Sequence, residues 1–193
     1  MPPSILILAG PNGAGKSTAA PFLLRDALAV TEFVNADQIA QGLSAFSPET
    51  VAIEAGRLML ARLDELVRRR ETFAFETTLA SRSFAPWLRA RRAEGYDVSL
   101  VFLWLPDPEA AVRRVAERVA RGGHHVPSEV VRRRYAAGLR NFFRLYRPLC
   151  TAWRVYDTSG VGPRLLAAGR GAATSLVMDR MLWDSLVRQW AEA

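Results

Sequence analysis

Nine consecutive residues constrain this chain more than any other feature. Gly10-Pro11-Asn12-Gly13-Ala14-Gly15-Lys16-Ser17 fits G-x-x-x-x-G-K-[ST], and Thr18 follows. The string lies between a short apolar run, SILILA at 4–9, and a helix-forming segment that begins at Lys16. Strand, small-residue turn, helix is the order a phosphate cradle requires. Small residues let backbone N–H groups converge on an anion, and the helix N-terminus adds a favourable partial charge. Lys16 is expected at the β- and γ-phosphates of ATP and the Ser17 hydroxyl on Mg²⁺. Residues 10–18 therefore predict ATP and Mg²⁺ as ligands.

Charge usage supports that reading. The 193-residue chain has 26 Lys plus Arg and a net charge of +7, yet Lys16 is the only lysine. A compact ammonium on a thin stem suits the loop, where a guanidinium fork is too bulky. The remaining charge suits an anionic ligand or nucleic acid, although arginine-rich solvated helix faces account for most of it. Half the residues are apolar, enough for the core of one domain spanning 1–193. The run at 5–9 is too short for a signal peptide or a membrane span. Cys150 is the only cysteine, so no internal disulfide forms. Both observations fit the cytoplasm and no membrane partner.

Strands are expected at 4–9, 33–34, 72–75, 98–105 and, as the last one, 153–156. The run VSLVFLWL has no polar side and requires cover on both faces, which implies a parallel sheet between helices. Helices are expected at 16–29 with a kink at Pro21, at 48–70 with Ser47 as N-cap, and at 83–94 ending at Gly95. Further helices open at Asp107-Pro108, run from a Ser128 cap to about Arg147, and close the chain at 175–190. The alternation reads as an α/β, doubly wound fold with a mainly parallel sheet between helices.

The loop string is also common in ABC transporter ATPases. No LSGGQ-like signature and no apolar strand ending in Asp-Glu accompany it, so that reading fails beyond the loop. A small-molecule or polynucleotide kinase needs an acid that positions a hydroxyl, a second acid near Mg²⁺ and arginines on a closing lid. Asp37, after the second strand, is a candidate base, on the expectation that this strand neighbours the phosphate-loop strand; an N-cap for 38–42 is the alternative. Glu76, at the end of the third strand, is a candidate for the metal shell. Thr77 or Thr78 is a candidate for holding substrate, against ordinary strand-end polarity. Arg114, Arg118 and Arg121 are spaced i, i+4, i+7 on one helix face, with Val112, Val115 and Val119 roughly opposite. Beside Gly122-Gly123 all three suit a helical lid at about 114–128 that closes on triphosphate and meets transition-state charge; a solvated face is the alternative. His124 and His125 are expected to shape the lid, since two adjacent histidines make a poor metal site. Arg132-Arg133-Arg134 reads as surface or substrate attraction.

With these residues in hand, the chain resembles the zeta-toxin family of P-loop kinases, in a short bacterial branch often labelled predicted ABC-type ATPase. The resemblance rests on AGPNGAGKST, NADQIA, FETTL, RVAERVARGGHHVPSEVVRRRY, GLRNFFRLYRPL and VYDTS, and covers roughly 5–159. It implies a kinase-like fold with ATP and Mg²⁺, a small-molecule hydroxyl as acceptor, and UDP-N-acetylglucosamine as the acceptor of characterised members. It also implies an antitoxin protein as partner. By position, Lys16 and Ser17 bind phosphate and metal, Asp37 is the base, Thr78 contacts substrate, and Arg118 and Arg121 clamp ATP. One departure stands out: the family's substrate-binding acid, on the helix before the third strand, aligns with Arg57, and Glu54 lies one turn earlier. Two other readings remain at this point: a nucleotide-binding ATPase or switch without an acceptor, and a polynucleotide 5′-hydroxyl kinase.

Overall fold

In the computed structural model, residues 2–22, 30–123 and 125–192 are described. The apolar runs form the strands of one seven-stranded sheet ordered β2-β3-β1-β4-β5-β6-β7. These are β1 (Ser4–Ala9), β2 (Glu32–Val34), β3 (Phe73–Thr77), β4 (Asp97–Trp104), β5 (Ala152–Asp157), β6 (Arg164–Arg170) and β7 (Ala173–Val177). The first five in spatial order are parallel, and β6 and β7 are added antiparallel. β1 and β4 lie inside the sheet and are buried along nearly their whole length, as strands covered on both faces must be. Ile5, Phe73, Phe75 and Phe102 are among the fully buried side chains, each contributing on the order of 1.5–3 kcal/mol.

The helices are α1 (Lys16–Ala20), α2 (Ala36–Leu43), α3 (Ala52–Arg68), α4 (Phe84–Ala93), α5 (Pro108–Ala120), α6 (Ser128–Asn141) and α7 (Arg180–Val187). Asp107 caps α5 as its sequence suggests, accepting from Ala110 N at 2.6 Å with Pro108 in the first turn. Three expected boundaries shift. Ser47 makes no side-chain cap: 48–51 is a 3₁₀ turn whose Thr50 bonds the Ser47 carbonyl, and the α-helix starts only at Ala52. Ser128 is the first helical residue and caps nothing. The helix that follows ends at Asn141 and widens into a π turn, Phe142–Tyr146, before a 3₁₀ turn at Arg147–Leu149. Pro21 keeps helical dihedrals (φ −56°, ψ −47°), and the rest of the helix expected at 16–29 lies outside the described residues from 23 on.

The larger correction is at the C-terminal side. β5 is not the last strand: a β6–β7 hairpin follows, and Ser175 belongs to β7 rather than to a helix. Tertiary packing decides this. Trp153 of β5 stacks on Trp183 of α7 at 5.5 Å and donates Nε1–H to Gly171 O in the hairpin turn. Phe142 joins the same aromatic group, 6.1 Å from Trp153 and 4.8 Å from Phe102. No helix is long and apolar enough to cross a membrane among the described residues.

Candidate active site

The phosphate loop sits at the carboxyl edge of β1, pressed onto β4 and α5. A Cβ on Gly10 (φ 144°) would lie 2.3 Å from Leu103 O, and one on Gly13 (φ 79°) 2.9 Å from Ala111 O. Only glycine admits both the backbone conformation and the approach. Gly10, Pro11 and Ala14 are buried behind the loop's ligand-facing surface, whereas Asn12, Gly13 and 15–18 line a cleft of about 980 Å³. Asn12 is 7% exposed, and its Oδ1 has no hydrogen-bond partner.

Lys16 lies buried on the cleft floor. Its Nζ donates to Gly10 O (2.9 Å) and Pro11 O (3.0 Å) and stands 3.5 Å from Glu76 Oε1. Burial pushes the Lys16 ammonium below its ordinary value, against the attraction of Glu76 and Asp37. Burial likewise pushes Glu76 above the usual carboxylate range, against the pull of Lys16. Both directions report the cost of holding two charges away from water.

Glu76 is the hub of the polar network. Its Oε2 accepts from Asn35 Nδ2 (2.8 Å) and from Ser17 Oγ (3.4 Å). Asn35 is a residue the sequence reading overlooked. It is buried and caps α2, its Oδ1 accepting from Asp37 N (2.8 Å) and Gln38 N (3.3 Å). The signal was an Asn-x-Asp placed directly after a strand, where a cap is favoured. Because Asn35 caps, Asp37 does not. Asp37 stands exposed in the first turn of α2 and lines the cleft.

The expected reason for its position needs correction. The strand beside β1 is β3, not β2, so Glu76 rather than Asp37 ends the neighbouring strand. Asp37 reaches the cleft from one strand further out, at the start of α2.

Across the loop, Arg114, Arg118 and Arg121 all line the cleft, while Val115 on the opposite face is buried and Val112 and Val119 pack on the core. Arg114 Nη2 donates to Thr158 O (2.6 Å) and Ser159 O (3.3 Å), tying α5 to the loop after β5. At the end of β5 burial pushes Asp157 up, but hydrogen bonds from Ser159 and Arg164 hold it below its ordinary value. The basic triplet divides. Arg132 pairs with Glu109 and Arg133 is exposed, but Arg134 lines the cleft, where substrate attraction rather than surface is the fitting half of its reading. His125 is exposed and His124 lies outside the described residues.

On the remaining walls stand Thr77 at the end of β3 and Thr78 after it, and Ile53, Gly56, Arg57 and Leu60 from α3, spaced i, i+3, i+4, i+7. Glu54 is not among the lining residues. The cleft thus gathers one ammonium, five arginines and three carboxylates, Asp37, Glu76 and Glu117. Among the described residues no group of three or more His, Cys, Asp or Glu could hold a metal alone.

Known proteins share this architecture. A chain of the AvrRxo1-ORF1:-ORF2 crystal structure with ATP aligns with a TM-score of 0.73 at 20% identity, covering 95% of this chain. This chain spans 63% of that protein chain's length. A chain from the PezAT chromosomal toxin-antitoxin system of Streptococcus pneumoniae aligns with a TM-score of 0.61 at 15% identity, over 99% of this chain and 88% of its own. The fold is therefore an α/β P-loop kinase-like fold, in agreement with the fold that the resemblance read from the motifs implies. An uncharacterized protein of Haemophilus influenzae is 29% identical over 126 residues, 65% of this chain and 88% of its own. The AAA domain family matches residues 5–145, well beyond half of the chain, and the chain belongs to that family.

Proposed function

We propose that this chain is an ATP-dependent kinase of zeta-toxin type that moves the γ-phosphate of ATP onto a hydroxyl of a small molecule. The observation that carries this reading is the division of the cleft: Lys16, Ser17 and Glu76 on the floor, a free carboxylate at Asp37 on one wall, and Arg118, Arg121 and Arg134 on others. The structure with ATP among its relatives supports ATP as donor.

The residues divide the work as follows. The loop N–H groups and Lys16 bind the β- and γ-phosphates, whose charge adds to that of Glu76 beside the buried ammonium. Ser17 Oγ and a Glu76 oxygen are hard oxygen donors, a pair that fits Mg²⁺ bound partly through substrate phosphates. Mg²⁺, when bound, neutralises charge on the β- and γ-oxygens. Asp37 orients the acceptor hydroxyl and takes its proton as the oxygen–phosphorus bond forms. The bond between phosphorus and the β–γ bridging oxygen breaks, and ADP leaves. Arg118 and Arg121 stabilise charge on the transferred group. Thr77, Thr78 and Arg57 face the acceptor, and UDP-N-acetylglucosamine is the acceptor suggested by the family resemblance. An antitoxin is the proposed partner, since a chain of similar fold belongs to a toxin–antitoxin system, and the proposed setting is the cytoplasm, where ATP is supplied.

The test is mass spectrometry of a bacterial small-molecule extract incubated with the protein and ATP. A metabolite heavier by one phosphoryl group, with ADP release that depends on the extract, is the expected result. ADP release unchanged by the extract would mean an ATPase without acceptor. Transfer to nucleic acid ends, with steep salt dependence, would mean a polynucleotide kinase.

A further inference from the structure

The segment after β3 is held in an unusual way. Four consecutive carbonyls, those of residues 78–81, face α6 and the π turn that extends it. Gly138 touches the first: a Cβ there would lie 2.4 Å from Thr78 O. Asn141 Nδ2 donates to the second and third, Leu79 O at 2.8 Å and Ala80 O at 3.2 Å. Tyr146 OH donates to the fourth, Ser81 O, at 2.5 Å. Leu79 itself is fully buried with φ +56°, a left-handed conformation that a leucine keeps only when its surroundings impose it.

The segment's own bonds complete its shape. Thr77 Oγ1 accepts from Leu79 N at 3.1 Å and Thr78 Oγ1 from Ala80 N at 3.4 Å. With their oxygens engaged, both hydroxyl hydrogens remain to donate. Thr77, Thr78 and Ser81 line the cleft.

The spacing on α6 explains how one helix does this. Arg134, Gly138 and Asn141 are i, i+4, i+7 and share a face. In a continuing α-helix Tyr146 would stand about 140° away from Asn141. The wider π turn at Phe142–Tyr146 brings it back towards the same face, a use for which such turns are known at functional sites. The same face also sends Arg134 into the cleft, so α6 sets the distance between that cation and the hydroxyls at 77–81.

We infer that Gly138, Asn141 and Tyr146 are positioning residues for the phosphoryl acceptor, clamping the 78–81 backbone so that Thr77 and Thr78 present their hydroxyls to it. The inference rests on the kinase reading above. Gly138→Ala is its sharpest probe, because alanine favours the helix while its methyl displaces a backbone carbonyl. Asn141→Asp keeps the shape and removes both donors. Tyr146→Phe removes one hydroxyl and keeps the packed ring, so it preserves the fold if the other two do not.

The assay is ADP release titrated separately with ATP and with dilutions of a bacterial small-molecule extract as acceptor source, alongside amide exchange at 77–83. The expected result is half-saturation by extract shifted up by as much as about 100-fold, the scale of a 1 Å misplacement. Half-saturation by ATP and the release without extract should stay at wild-type values, with faster exchange confined to 77–83. Wild-type half-saturation by extract in all folded variants overturns the inference alone, as does an equal shift for ATP, which would mark general damage. No extract-dependent release in the wild-type protein overturns the kinase reading and the inference with it.

Discussion

Asp37 and Lys16 show how far a single residue's surroundings decide its role. Asp37 has no structural task that the structure records: Asn35 is the cap, and the Asp37 carboxylate stands exposed on the cleft. Asp37→Asn should therefore leave Tm unchanged while lowering kcat by on the order of 10²–10⁴, the usual contribution of a general base. Thermal melting and single-turnover phosphotransfer on one preparation check this. A stable variant with near-normal transfer would remove Asp37 from the mechanism and leave Glu76 as the next acid to test. Lys16 is the opposite case. Its ammonium satisfies two loop carbonyls and the nearest carboxylate, so Lys16→Ala should abolish phosphotransfer and also lower Tm. Retained turnover would contradict the loop assignment. The melting loss should be larger above the folded-state pKa of Glu76 than below it. That pKa is raised by burial, so the neutral acid is tolerated at low pH, and the anion left without its ammonium is not.

At the scale of elements, α5 and α6 meet the same cleft with different liabilities. Val115 anchors α5 in the core, and Gly13 presses the phosphate loop against it, so the arginine face is carried on a rigid support. Arg118→Ala and Arg121→Ala should lower kcat more than they weaken ATP binding, because their charge matters most when charge develops on the transferred group. Separate measurement of ATP Kd and kcat distinguishes this from a simple binding loss, and wild-type kcat in both variants would make the stripe solvated surface. Arg114→Ala should behave differently, loosening the 158–159 carbonyls it now holds. The i, i+4, i+7 spacing made the stripe legible from the sequence. The split in duties was not, because it depends on where the loop after β5 arrives, and no local pattern encodes that.

For the whole molecule, the sheet and its aromatic packing share one continuous core. Cys150 reports on it: the thiol is 1% exposed, and burial pushes it up to about 12. The raised value means that its contribution to stability is fully present below the ordinary thiol range and lost as pH rises through about 12. At pH 8 the native protein should be inert to thiol reagents, and labelling in urea should follow the unfolding curve measured by tryptophan fluorescence. Fast labelling without denaturant would show local opening around the turn at 147–149.

By itself the sequence determined the strand–loop–helix at 4–20, the parallel α/β layering, the capped start of α5, the arginine stripe and the kinase-like family likeness. Each of these is written in local terms: apolar runs of strand length, small residues at fixed spacing, an Asp-Pro start, a helical period. Tertiary structure alone decided the order of the strands, which places Glu76 beside the phosphate loop and moves Asp37 one strand outward. It decided the C-terminal hairpin, where β7 takes the first residues of the helix expected at 175–190 and leaves the closing helix to start at Arg180. It also decided that Arg134 enters the cleft while Arg132 turns to Glu109. The physical reason is common to all three: a side chain's partners across the fold are chosen by which surfaces bury together, and burial is a property of the packed chain that no short stretch of residues contains.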